Sequence, residues 1–278
     1  MSACTTFDKS KIKNLNDGVV QKIGHGGSGF TSLIPFNSSP ANSMASIKKA
    51  LIENKADGVE VDVHMTADGK FVLYHDMELD SKTNLKGCIE TLNYKEVVGK
   101  EYKVGFPYDI FQSEKIIGMI DLVDLCKELN QFPFLHFDLR NYSKCFTAEE
   151  NNEWEIKFYH NFIKFLQEER VPSEKMLLIS QRRTFLKFAK AQNCIYPLSL
   201  EEYGTFDEGL IWVKENGINY LTFKPEKLSV EKTALAHKEG VQIITFGGKS
   251  TSGNKTLLGL NPDYIQTNNL NTLQKLLR

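Results

Sequence analysis

A (β/α)8 barrel is the fold this sequence predicts, and three observations predict it. Short apolar runs alternate with helix-periodic stretches from one end of the chain to the other, eight such runs can be found, and the 278 residues suffice to bury them around one core. Strands that alternate with helices favour parallel β/α units over separate α and β regions. With 41% hydrophobic and 25% charged residues the composition is that of an ordinary globular chain. One domain over residues 1–278 is therefore expected.

The candidate strands are 19–25, 58–64, 132–138, 176–180, 194–199, 218–223, 241–246 and 264–267. Helical periodicity falls between them at 43–53, 121–129, 154–168, 183–191, 207–215 and 230–239, with 270–278 closing the ring. Gly217 and Gly240 stand where helices should stop before strands. Residues 66–120 do not fit this rhythm: the segment is too long for one β/α loop and carries its own strand, FVLYH, after an Ala-Asp-Gly turn. It reads as a small insertion over one barrel mouth.

Composition also sets limits on function. A formal charge of −1 provides no global field for nucleic acid or an anionic membrane, so any anion must be held locally. Cys4, Cys88, Cys126, Cys145 and Cys194 show no CxxC spacing, which suggests free thiols rather than a zinc ribbon or a redox pair. No apolar run approaches the ~20 residues of a membrane span, and the first residues lack an apolar leader core, so a cytoplasmic protein is the default expectation. Ser2-Ala3-Cys4 resembles the end of a bacterial lipoprotein signal, and the alternative is an envelope or periplasmic protein in which Cys4 is the lipidated start.

The strand GVEVDVH places Glu60 and Asp62 two residues apart and hence on one face, with valines on the other. Two converging carboxylates are costly to bury unpaired, and a hard divalent cation, Mg²⁺ or Ca²⁺, is the simplest compensation. Asp138 ends the strand FPFLHFD, where barrel active sites gather, and is a candidate third oxygen ligand; Arg140 shares its face and offers a fork of donors to phosphate. His25 and His75 both end strands on either side of the carboxylates, as a proton donor and acceptor working near neutral pH would. His64, His136, His160 and His237 read as structural.

Two motifs suggest other chemistry and fail on context. Gly24, Gly26 and Gly29 satisfy G-x-G-x-x-G, but Pro35 and Pro40 follow and no helix begins there, which argues against a dinucleotide-dependent oxidoreductase. FGGKST at 246–251 ends like a phosphate loop but has Ile243 where a Walker glycine belongs; it reads as a polar loop with Lys249 near the mouth.

The succession KIGHGG, PANSMASIKKAL, DGVEVDVHMTADGKFVLYHD, FLHFDLR and PDYIQTNN resembles the glycerophosphodiester phosphodiesterase family across nearly the whole chain. The resemblance implies Glu60, Asp62 and Asp138 as metal ligands, His25 and His75 as the acid/base pair, and Arg140 in place of a phosphate-facing lysine. It also exposes departures: Gly26 where the family carries a phosphate-binding arginine, Ala41 where it carries glutamate, and Asn268 where it carries aspartate. Gly26 is accordingly placed, with Arg140 and Lys249, in the expected phosphate-binding region. The implied activity is cation-dependent hydrolysis of a small-molecule glycerophosphodiester to an alcohol and glycerol 3-phosphate. A related phospholipase acting on lipid or lysolipid, which an apolar rim on the insertion would favour, and a noncatalytic phosphate-ester-binding barrel are the alternatives.

Overall fold

A computed structural model describes residues 6–278, and the lipoprotein-like Cys4 lies outside the described residues. The strands are β1 (Gln21–Gly24), β2 (Ser32–Leu33), β3 (Phe36–Asn37), β4 (Gly58–Met65), β5 (Phe71–Leu73), β6 (Phe134–Leu139), β7 (Met176–Ser180), β8 (Leu198–Glu201), β9 (Tyr220–Phe223), β10 (Gln242–Gly247) and β11 (Tyr264–Thr267). Eight of them, β1, β4 and β6 to β11, pair in parallel, and β1 closes the ring by pairing with both β11 and β4. The chain is a closed (β/α)8 barrel.

Strand faces divide as period-2 alternation requires. In β4 every residue is buried: Val59, Val61 and Val63 join the layer between strands and helices, while Glu60 and Asp62 point inward. The barrel's lower interior is filled by Ile23, Leu177, Ile179, Ile244 and Tyr264. The inward carboxylates stand above this plug, at the C-terminal ends of the strands.

Helices follow the expected order, the longest starting at residue 148 rather than 154, and two further differences concern one helix and one strand. The first, α1 (Met44–Lys48), capped by Ser43, runs on as a π-helical turn over Lys49–Glu53. Next come α2 (Tyr94–Val97), α3 (Met119–Glu128), α4 (Ala148–Glu168), α5 (Arg183–Ala191), α6 (Phe206–Glu215) and α7 (Val230–Lys238). Then α8 (Thr251–Gly259) follows the polar loop at 246–251 in a stretch where the sequence predicted no helix, and α9 (Leu270–Leu276) closes the ring. Gly253 and two threonines make α8 a weak helix on propensity; burial of Leu257 and Leu258 and a Ser250 cap fix it instead. The other difference is β8, which begins at Leu198 rather than at residue 194.

The segment 66–120 sits at the C-terminal mouth. Strand β5 returns antiparallel along β4, with Leu73 opposite Val63, and the segment builds a separate apolar cluster around Tyr74, Leu79, Ile89, Val97 and Tyr102. Contrary to the expectation of free thiols, Cys88 in this segment is disulfide-bonded to Cys145 in the loop after β6; Cys126 and Cys194 are free. The two cysteines are 57 residues apart, so linear spacing gave no sign of the pairing. No helix among the described residues is long and apolar enough to cross a membrane.

Candidate active site

Strand register brings the acidic residues together. Asp62 and Asp138 are direct partners across β4 and β6, and Glu60 lies one pleat below Asp62. Gly24 pairs with Val59, so His25 follows at the level of Glu60, its Nε2 3.8 Å from a Glu60 oxygen. The backbone N–H of Tyr74 donates to Asp62 O at 3.1 Å, which delivers His75 to the same mouth. One carboxylate oxygen from each of Glu60, Asp62 and Asp138 lies within 4.8 Å of the others.

The groups around these carboxylates hold them in place. The Gly26 N–H donates to Glu60 Oε2 at 2.8 Å. Asn42 clasps Asp62 twice, donating from Nδ2 to Oδ2 at 2.8 Å and accepting the Asp62 N–H at 3.0 Å. The guanidinium of Arg140 donates to Asp62 Oδ1 and lies 3.0 Å from Asp138 Oδ2. Burial and the neighbouring charges of Asp62 and Asp138 push the Glu60 pKa well up. Burial, then Glu201 and Asp62, push Asp138 up against the opposing pull of Arg140. Asp62 goes the other way: burial would raise it, but Arg140 first, then His75 and Asn42, hold it below the usual carboxylate range.

Three buried carboxylates share one guanidinium, and Asp138 Oδ1 is buried with no hydrogen-bond partner. An all-oxygen set with an orphaned buried acceptor suits a hard divalent cation, so the donor set fits such an ion.

The two histidines differ. The His25 pKa is lowered to about 4, chiefly by burial, and its Nδ1 is buried without a partner. His75 Nδ1 lies 2.5 Å from Asp76 Oδ1, which leaves the other ring nitrogen for the cavity. Burial would lower the His75 pKa, but the charge of Asp62 and the Asp76 hydrogen bond outweigh it, and the pKa is raised. Asp76 is in turn held by the Ser81 hydroxyl at 2.6 Å and the Lys82 ammonium at 3.4 Å. The Phe30 ring stands edge-on between the histidines, 5.0 Å from each.

A cavity of about 340 Å³ gathers His25, His75, Glu60, Asp62, Asp138 and Arg140. Two residues expected at the phosphate do not line it. Gly26 has its N–H engaged by Glu60, and at φ 57 an added Cβ would meet Ala41 Cβ at 2.6 Å. A residue larger than glycine at 26 has no room beside this backbone. Lys249 is exposed and borders a separate small cleft beside Phe30 and Pro35.

Sequence reading missed Glu201, Tyr203, Lys224, Phe246 and Phe30, all of which line the cavity. Tyr203 donates to Glu201 Oε1 at 2.9 Å, and the Lys224 ammonium lies over the Tyr203 ring. Glu201 ends β8 and Lys224 directly follows β9, positions that the strand-end rule marks. Placing β8 four residues early had hidden Glu201. The four histidines read as structural include His64 bonded to Glu90, His136 to Gln266 and His237 to Asp263.

Fold and site together define a (β/α)8 barrel with a cluster of three carboxylates at its C-terminal mouth. The sequence model of the Glycerophosphoryl diester phosphodiesterase family matches residues 29–199, more than half of the chain, and the chain belongs to that family. It is 45% identical over 58 residues to the uncharacterized Bacillus subtilis protein YqiK, covering 21% of this chain and 24% of that one. It is 33% identical over 87 residues to the glycerophosphodiester phosphodiesterase of Caldanaerobacter subterraneus, covering 31% and 35%. The matched stretches thus span well under two thirds of these relatives. An Oleispira antarctica phosphodiesterase, solved in complex with the product sn-glycerol-3-phosphate, superposes with a TM-score of 0.76 at 18% identity over 92% of this chain and 96% of that one, which shows the shared fold.

Proposed function

We propose that this chain hydrolyses glycerophosphodiesters to an alcohol and glycerol 3-phosphate, with Glu60, Asp62 and Asp138 as ligands of Mg²⁺ or Ca²⁺ and His25 and His75 as the acid/base pair. The carrying observation is that three carboxylates and two histidines of different environment line one cavity. Family membership and the fold shared with a phosphodiesterase bound to its product support the reading. A bound cation supplies positive charge to a non-bridging phosphate oxygen as charge builds there.

The chain's own residues account for the other requirements. Arg140 and Lys224 are the cationic side chains lining the cavity and orient the phosphate. His25, kept neutral by burial, accepts a proton of the attacking water; His75, whose pKa Asp62 and Asp76 raise, donates one to the departing alkoxide. The P–O bond to the alcohol breaks as the new P–O bond forms. The proton taken at one histidine is matched by the proton given at the other.

The test is hydrolysis of glycerophosphocholine and glycerophosphoethanolamine, followed by release of glycerol 3-phosphate, before and after EDTA. Turnover that is lost on chelation and restored by Mg²⁺ or Ca²⁺ is expected; undiminished turnover after exhaustive chelation overturns the cation role. We also propose an oxidising location, the envelope or periplasm, over the cytoplasm, because the Cys88–Cys145 disulfide persists there and not in a reducing cytosol. Cell fractionation checks it.

A further inference from the structure

Two loop tips beside the cavity turn large apolar side chains to solvent. In the β2–β3 hairpin Leu33, Ile34 and Phe36 are exposed, and in the loop at 105–111 so are Phe106, Ile110 and Phe111. Ile34 is 89% exposed and Phe106 85%, so these two project beyond their neighbours as prongs. The tips come from segments far apart in sequence yet meet, with Phe36 edge-on to Phe111 at 5.3 Å and stacked on Tyr108 at 6.3 Å. Together they form one contiguous apolar rim of the kind that marks a protein or membrane contact.

The loop at 105–111 inverts the usual arrangement of a surface loop. Its polar groups bond within the loop itself: the Asp109 carboxylate accepts from Val104 N at 2.9 Å, Gly105 N at 3.0 Å and Gln112 Nε2 at 2.9 Å. This network fixes the backbone while leaving Phe106, Ile110 and Phe111 outside. The base of the loop is an antiparallel bridge between Glu101 and Lys115, where Lys100, Lys103 and Lys115 are all exposed. Of the nearby acids, Glu101 pairs with Lys103 and Glu114 accepts the Ala45 N–H at 2.9 Å. Apolar prongs with two exposed lysines at their base, Lys100 and Lys115, that enter no ion pair among the described residues match a surface with an apolar interior and phosphate headgroups.

The rim is tied to the site on both sides. The hairpin begins two residues after Phe30, the ring between the two histidines. The loop base joins through the Lys103 N–H, which donates to Lys82 O at 2.7 Å, and Lys82 pairs with Asp76, the partner of His75. A surface that receives the prongs therefore lies against the mouth of the cavity.

We infer that this rim docks the protein on a phospholipid surface and presents lipid-borne phosphodiesters, such as lysophospholipids, to the cavity. The substrate half of this inference rests on the phosphodiesterase reading above; the docking half does not. Convex prongs set the occupant apart from a folded partner, since hot spots of protein interfaces pair anchors with preformed pockets and the rim presents anchors alone.

The test uses flotation with vesicles of phosphatidylcholine and phosphatidylglycerol, in parallel with hydrolysis of soluble glycerophosphocholine and of lysophosphatidylcholine held in the same vesicles. The parent chain is expected to float, and I34S/F106S to bind at least ~10-fold more weakly, the scale set by withdrawing two large apolar groups from lipid. Hydrolysis of soluble glycerophosphocholine should be unchanged in the variant, while vesicle-borne hydrolysis falls with binding. A second variant, L33S/I110S, checks the same rim with other residues, and an unaltered melting temperature shows that both variants are folded. A parent that cleaves the soluble diester but does not float overturns docking alone, as does a variant that floats like the parent or a rim found covered by a protein partner instead. A parent that floats but cleaves neither substrate overturns the hydrolase reading and leaves docking intact.

Discussion

Arg140 Nη2 lies 3.0 Å from Asp138 Oδ2 and reaches Asp62 with the same nitrogen. One cation thus bridges two carboxylates that strand register places opposite each other. Its removal leaves an uncompensated acidic cluster, a change that commonly costs about 3–5 kcal/mol at a buried pair. Arg140→Gln is expected to melt earlier than the parent in EDTA and to recover more than the parent when Mg²⁺ or Ca²⁺ is added. Differential scanning calorimetry with and without the ions checks this, and equal ion-induced shifts would separate Arg140 from the cation site.

Glu60→Gln and Asp62→Asn each remove a candidate ligand while keeping shape. Divalent-ion affinity measured calorimetrically should fall by at least ~10²-fold, no less than the effect of altering groups that merely orient ligands. The fold should persist, because the strand is held by its valines and backbone pairing. Affinity equal to the parent's in both variants would place the cation elsewhere.

His25→Ala and His75→Ala should each lower turnover of a glycerophosphodiester by about 10²-fold or more. Because the two act in opposite protonation states within one proton cycle, the double variant should lose much less than the product of the single losses. Asp76→Asn should mimic part of the His75 loss, since Asp76 orients that ring through its 2.5 Å hydrogen bond. Multiplicative losses in the double variant would show that the two histidines do not act as one unit.

The Cys88–Cys145 bond should appear as a linked peptide pair in a non-reduced digest analysed by mass spectrometry. Replacing both by serine should lower stability by about 2–4 kcal/mol, the usual effect of opening a loop of this size. Cys126, whose thiol burial pushes to about 12, should resist alkylation in the native protein at pH 8 and react once the chain is unfolded. Rapid native alkylation of Cys126 would contradict its packing.

What the sequence disclosed follows from which interactions are local. Alternation within β4 was enough to set Glu60 and Asp62 on one face, and the strands 176–180 and 264–267 carry their boundaries in their own residues. Strand ends marked His25, Asp138 and Arg140 because barrel geometry makes that face a mouth. The failures are tertiary. Tyr196 and Pro197 looked like strand residues, and that error hid Glu201. Leu257 and Leu258 form a helix because α9 and β11 offer them a core, not because their neighbours favour helix. Pairing of Cys88 with Cys145 depends on an insertion folding back over a strand end, which no spacing rule reports. Lys249 was placed by proximity to a strand end, but its side chain is exposed at a separate cleft rather than in the cavity.

The covalent link between Cys88 and Cys145 also turns the intervening chain into a ring. That ring includes the prong-bearing loop and all of β6, so the strand that carries Asp138 and its protruding tip belong to one closed circuit. A protease that cuts after the exposed Phe111 would open the circuit without dividing the molecule: one band under non-reducing conditions, two after reduction. A break at this exposed tip thereby leaves the parts of the chain joined.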